Sequence, residues 1–66
     1  MPYIQAEIDS ATAEQKQKLV EGFTKVASDV LSADPSAFYV LIKENPTDNW
    51  GVGGKVLTQL LKESKQ

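Results

Sequence analysis

Hydrophobic and polar residues alternate at the start of this chain and then change period. In "PYIQAEI", residues 2–8, Pro2, Ile4, Ala6 and Ile8 fall on one side and Tyr3, Gln5 and Glu7 on the other. A period of two belongs to a half-buried β-strand. "DSAT" then reads as a turn, and Thr12 followed three residues later by Gln15 is the signature of a capping box opening a helix. From there Leu19, Val20, Phe23, Val26, Ala27, Val30 and Leu31 recur at steps of three and four, which predicts one apolar helix face running to about Leu31. Lys16, Lys18, Glu21, Lys25 and Asp29 lie mostly outside that face. Pro35 disfavours helical geometry at Asp34, so "SADPS" ends the helix.

The period returns to two in "AFYVLIK", residues 37–43, but here both sides are apolar: Phe38, Val40 and Ile42 on one, Tyr39 and Leu41 on the other. A strand of that kind needs cover on both faces. One helix supplies one cover, so the other must come from the C-terminal helix or from another copy of the chain. "ENPTDNWGVGGK" is dense in turn formers, with an aromatic beside a glycine-rich hairpin. A last helix is expected over residues 54–63, with Val56, Leu57, Leu60 and Leu61 on one side. Strand, long helix and strand make a β-α-β unit, whose two strands should be parallel with a right-handed crossover. The expected class is α+β: one domain over residues 1–66, a parallel strand pair, then a C-terminal hairpin and a short helix.

Composition sharpens the need for a partner copy. A chain of 66 residues buries only a small share of its surface, and small domains usually rely on disulfides, a metal or oligomerisation. There is no Cys and no His, which excludes disulfides, thiolate chemistry and His-ligated metal. With 41% of its residues hydrophobic, the chain has oligomerisation left as its route to a core. Seven Lys against nine acidic residues, with no Arg, give a net charge of −2 and no basic stripe for nucleic acid. No apolar run approaches the ~18 residues of a membrane span, and the N-terminus lacks the order of a signal peptide. A cytoplasmic location is expected.

Proton transfer near neutral pH needs a group that titrates there. Without His or Cys, the choice is a perturbed carboxylate, a desolvated Lys or the chain's own amine. An α-amine titrates near ~7.7–8.0, against ~10.4 for Lys. If Met1 is removed, as is normal before proline, Pro2 carries a secondary amine at the tip of a strand. Proline's amine is intrinsically more basic than the average α-amine, and an apolar pocket would lower its pKa by disfavouring the charged form. With Met1 in place the same nitrogen is an amide and has no basicity.

"MPYIQAEI", "TAEQKQKLVEGFTKVASDVL", "FYVLIKE" and "NWGVGG", in that order and at this length, resemble the 4-oxalocrotonate tautomerase family of the tautomerase superfamily, over nearly the whole chain. The resemblance implies a β-α-β fold paired into dimers, with three dimers in a hexamer. It also implies cofactor-independent chemistry, in which the amino-terminal proline shuttles a proton between an enol or dienol and its conjugated keto acid. Pro2 is then the catalytic base. Trp50 stands where the family has an apolar aromatic lining the pocket. Two family arginines, which hold substrate carboxylates and polarise the carbonyl, are absent. The stretch before the first helix, "DSATAEQK", has none and is one residue shorter, and the position on the second strand is Tyr39.

Tyr39 and Trp50 are therefore the expected substrate-binding residues, with Tyr39 able to donate one hydrogen bond to a developing enolate oxygen. Lys43 and Lys16 are candidates to supply the missing positive charge. The expected function is a keto-enol tautomerase of small enol or keto acids, with phenylenolpyruvate-like monocarboxylates favoured over muconate-like dicarboxylates. The alternatives are a non-catalytic oligomeric protein of the same fold and another proline-amine reaction, such as hydration, dehalogenation or decarboxylation. Phe38, Leu41 and Leu60 should be buried in the assembly.

Overall fold

The computed structural model describes residues 2–64. Met1, on whose removal the reading of Pro2 depends, lies outside them. Strand β1 (Tyr3–Ile8) leads through a turn into helix α1 (Ala13–Leu31), then a 3-10 turn (Pro35–Ala37) and strand β2 (Tyr39–Glu44). A second 3-10 turn (Thr47–Asn49) precedes a hairpin of β3 (Gly51–Val52) and β4 (Lys55–Val56), which runs directly into helix α2 (Leu57–Ser64). β1 and β2 are parallel, in a register that sets Tyr3 opposite Tyr39, Gln5 opposite Leu41 and Glu7 opposite Lys43.

The capping box forms as the sequence implies. Thr12 Oγ1 accepts from the Gln15 amide at 3.1 Å, and Gln15 Oε1 accepts from the Thr12 amide at 2.9 Å. α1 ends at Leu31, where Ser32 turns left-handed at φ 53° and its N–H donates to Ser28 O. Asp34 is extended before Pro35, as the proline requires.

Two boundaries differ from the sequence expectation by more than one residue. β2 begins at Tyr39 rather than at residue 37, because Asp34 Oδ1 accepts from both the Ser36 amide (2.9 Å) and its hydroxyl (2.8 Å) and curls the start into a 3-10 turn. α2 begins at Leu57 rather than at residue 54. Gly53 and Gly54 adopt φ 60° and 85°, so they make the tight turn of a hairpin and draw Lys55 and Val56 into β4. Val56 thus leaves the apolar side of the helix for the hairpin.

Burial follows the alternation. Ile4, Ala6, Ile8, Val40 and Ile42 are half-buried beneath α1, while Tyr3, Tyr39 and Leu41 on the opposite face are 55%, 55% and 45% exposed. Leu19, Val20, Phe23 and Ala27 of α1 are half-buried, but Val26, Val30 and Leu31 are exposed. The apolar face of α1 is therefore wider than the protomer covers. α2 packs on the Thr47–Asn49 turn and on β4. Thr58 fixes it there, with its hydroxyl 2.6 Å from that of Thr47 and donating to Asp48 Oδ1.

Among the described residues no side chain is fully buried. The radius of gyration is 15.5 Å, where a compact chain of this length would give about 11 Å. The accessible surface is 5113 Å², against about 4,100 Å² for a compact monomer of the same mass. The excess of about 1,000 Å² is the size of what each partner buries in a standard protein interface, about 800 Å².

Candidate active site

Proline has no N–H to give to a ladder, so the start of a strand suits it. Pro2 still joins the sheet through its carbonyl, which accepts from the Tyr39 amide at 3.1 Å. Neighbouring residues of a strand point to opposite faces. Pro2 continues the row of Ile4, Ala6 and Ile8 and is half-buried, while Tyr39 pairs with Tyr3 on the exposed face. Tyr3 uses its hydroxyl on Gln5 Oε1 at 2.9 Å. Pro2 and Tyr39 therefore share one end of the strand pair but not one face.

Trp50 belongs to the other end. Asn45 is the hub there: its amide donates to Ile8 O at 2.7 Å, and its side-chain amide donates to Glu7 Oε1 at 2.9 Å. Its carbonyl accepts the Trp50 indole N–H at 2.8 Å. Glu7, Asn45, Asn49 and Trp50 line a cleft of about 220 Å³. A strand rises 3.2–3.4 Å per residue, so the five steps from Pro2 to Glu7 span about 16 Å. A single copy does not bring the three candidate residues together. Pro2 lines neither this cleft nor two larger ones, of about 420 Å³ bounded by Ile8, Ala11 and Leu19 and of about 500 Å³ bounded by Val20, Ser28 and Pro35.

The two candidate lysines are placed differently. Lys16 Nζ lies 2.8 Å from Glu44 Oε1, and Glu44 Oε2 also accepts the Ala11 amide at 3.1 Å. The Lys16 hydrogen bond, helped by the Ala11 amide and the lysine charge, holds the Glu44 carboxyl below its ordinary range. Lys16 is thus engaged at the start of α1. Lys43 stands opposite Glu7 in the strand register. The sequence reading missed Asn45 and Glu7. "ENP" reads only as a turn, and the nearness of Glu7 to Trp50 depends on a register that connects residues 38 positions apart. Among the described residues, no group of three or more acidic side chains could hold a metal ion.

Residues 2–60, from the proline before β1 through the aromatic-glycine hairpin into α2, match the tautomerase enzyme family. The chain belongs to the tautomerase family. It is 43% identical over 61 residues to the "Probable tautomerase K2" of Dickeya dadantii (strain 3937), covering 89% of this chain and 91% of that protein. It is 33% identical over 61 residues to the 2-hydroxymuconate tautomerase of Bacillus subtilis (strain 168), covering 91% of this chain and 98% of that one. The crystal structure of an apo unfused 4-oxalocrotonate tautomerase superposes with a TM-score of 0.84 at 33% identity, over 89% of this chain and 98% of the other. Membership in the tautomerase family supports a tautomerase-type activity, and the fold is that of the 4-oxalocrotonate tautomerases.

Proposed function

We propose that this tautomerase interconverts the enol and keto forms of small monocarboxylic acids without a cofactor, with Pro2, freed by removal of Met1, as base and then acid. The observation that carries the reading is the 3.1 Å ladder bond from the Tyr39 amide to the Pro2 carbonyl, which fixes the residue bearing the amine at the edge of a rigid sheet. The neutral nitrogen takes the enol hydroxyl proton as the carbonyl forms. The resulting ammonium delivers a proton to the neighbouring carbon and returns to its neutral form. The charge that develops on the oxygen needs a donor, and Tyr39 of another copy can supply one hydroxyl hydrogen bond, since within one copy it lies on the opposite face from Pro2.

Trp50 supplies the apolar wall in this reading, and the span of about 16 Å within one copy means that the wall belongs to another copy. The protein is then a homo-oligomer, a hexamer of paired β-α-β units, whose interfaces cover Tyr3, Tyr39 and Leu41. Each copy is one domain, and the assembly works in the cytoplasm. With no Arg in the chain, a second substrate carboxylate has few partners, which favours phenylenolpyruvate-like acids. The lack of those arginines also favours a second reading, a tautomerase fold that assembles but does not turn over substrate.

The test is a phenylenolpyruvate assay on protein with a verified Pro2 terminus, beside protein that keeps Met1. A positioned base contributes ~10²–10⁴-fold, and the blocked protein should lose a factor in that range. Equal turnover by the two forms would remove Pro2 from the mechanism. No turnover by either would favour the second reading.

A further inference from the structure

The cleft beside Trp50 holds a carboxylate that the reaction does not use. Glu7 Oε1 accepts the Asn45 side-chain amide at 2.9 Å, and the backbone carbonyl of the same asparagine accepts the indole N–H. The ring and the carboxylate are thus held by one residue. The indole has no other donor, so Trp50 presents the cleft with an apolar surface only. Among the described residues the ion pairs are Lys16–Glu44, Lys18–Glu14, Lys25–Asp29 and Lys55–Glu63. Glu7 is in none of them. Lys43, opposite in register, is the nearest cation along the sheet but does not come within ion-pairing distance. Asn45 offers Glu7 a dipole, which orients the carboxylate without neutralising it.

We propose that Glu7 is a specificity-determining residue, which sets the Trp50 cleft against ligands carrying a second carboxylate and leaves it open to apolar or aromatic tails. The inference rests on the reading that this cleft receives the tail of the substrate, and it adds a repulsive element to the missing arginines. Discrimination by a like charge is effective because it acts on the wrong ligand and leaves the right one untouched. A carboxylate entering a cleft of this size comes within a few ångströms of Glu7. In a solvated setting, that is worth about a fivefold change in affinity.

Trp50 is the only tryptophan, so its fluorescence reports on the cleft without turnover. The experiment titrates the Pro2-terminated protein and its Glu7→Gln variant with 3-phenylpropionate and with adipate, neither of which can tautomerise. Wild type should bind 3-phenylpropionate more tightly. Glu7→Gln should strengthen adipate binding by about fivefold and leave 3-phenylpropionate unchanged. The gap between the two ligands in wild type should also narrow as salt is raised toward ~1 M, where the screening length falls to about 3 Å. That narrowing should be smaller in Glu7→Gln, which a merely structural role for Glu7 would not produce. Quenching by both ligands with no change of ratio in Glu7→Gln would overturn the proposal. Phenylenolpyruvate turnover with Trp50 silent to both ligands would overturn it too, while leaving the tautomerase reading intact. Charge-selective quenching in a protein that turns nothing over would support the proposal and count against that reading.

Discussion

The two ends of the β1–β2 pair are built on different plans. At the Trp50 end the chain closes on itself: Asn45 ties β1, β2 and the indole together, and Glu44 joins β2 to the start of α1 through Ala11 and Lys16. At the Pro2 end the ladder runs on to the Pro2 carbonyl, but among the described residues no side chain ties the two strands together there, and two tyrosines stand in the open. The open end has the candidate base and the uncovered aromatic surface. A small chain can thus tie one end together with side chains and leave apolar surface open at the other.

The largest test of that contrast is aimed at the open face. Leu41→Asp places a carboxylate on the uncovered side of β2, where burial of an unpaired charge costs several kcal/mol. Sedimentation should then give smaller particles than wild type. An unchanged mass would mean that this face is not an interface. Tyr39→Arg sharpens the same end chemically: an arginine fork holds a carboxylate through two bonds. The ratio of kcat/KM for muconate-like over phenylenolpyruvate-like acids should rise about tenfold, or ~1.4 kcal/mol of transition-state binding.

The smallest expected effect belongs to the closed end. The Glu44 carboxyl is held below its usual 4.5, first by the Lys16 hydrogen bond and then by the Ala11 amide. A carboxylate with a depressed folded pKa stabilises the fold above its unfolded value, and that contribution is lost as pH falls through the folded pKa. Acid titration of the melting temperature should therefore show a component below about pH 4.5 that weakens in Lys16→Met. Activity differences between these proteins at neutral pH should be slight.

Most of the fold was legible because it rests on period. Two strands and a long amphipathic helix declare themselves by spacing, and Thr12 with Gln15 marks the start of α1 without ambiguity. The start of α2 was not legible, since Val56 fits the helical apolar pattern as well as Leu57 does. Only the backbone handedness at Gly53 and Gly54 decides that it joins the hairpin. The candidate residues could be named from the sequence, but their arrangement could not. Pro2, Tyr39 and Trp50 can be picked from their chemistry and from the family resemblance. Their distribution over two ends and two faces follows from alternation combined with strand length. Asn45 and Glu7 escaped because their roles depend on which strand positions meet.

The turn at Gly53 and Gly54 has a consequence for synthesis. Both residues are left-handed, and the Cβ of an L residue on either would meet no atom within 4 Å, so handedness alone bars it. The constraint there is mirror symmetry and not space. A D-alanine at either position would adopt that backbone at ease and would narrow the unfolded ensemble, a stabilisation of about 0.4–1 kcal/mol by analogy with Gly→Ala at compatible sites. A chain of 66 residues is within reach of peptide ligation. Chemical assembly would also begin the polypeptide at Pro2 by choice, so one preparation could carry both a firmer hairpin and an unblocked amine.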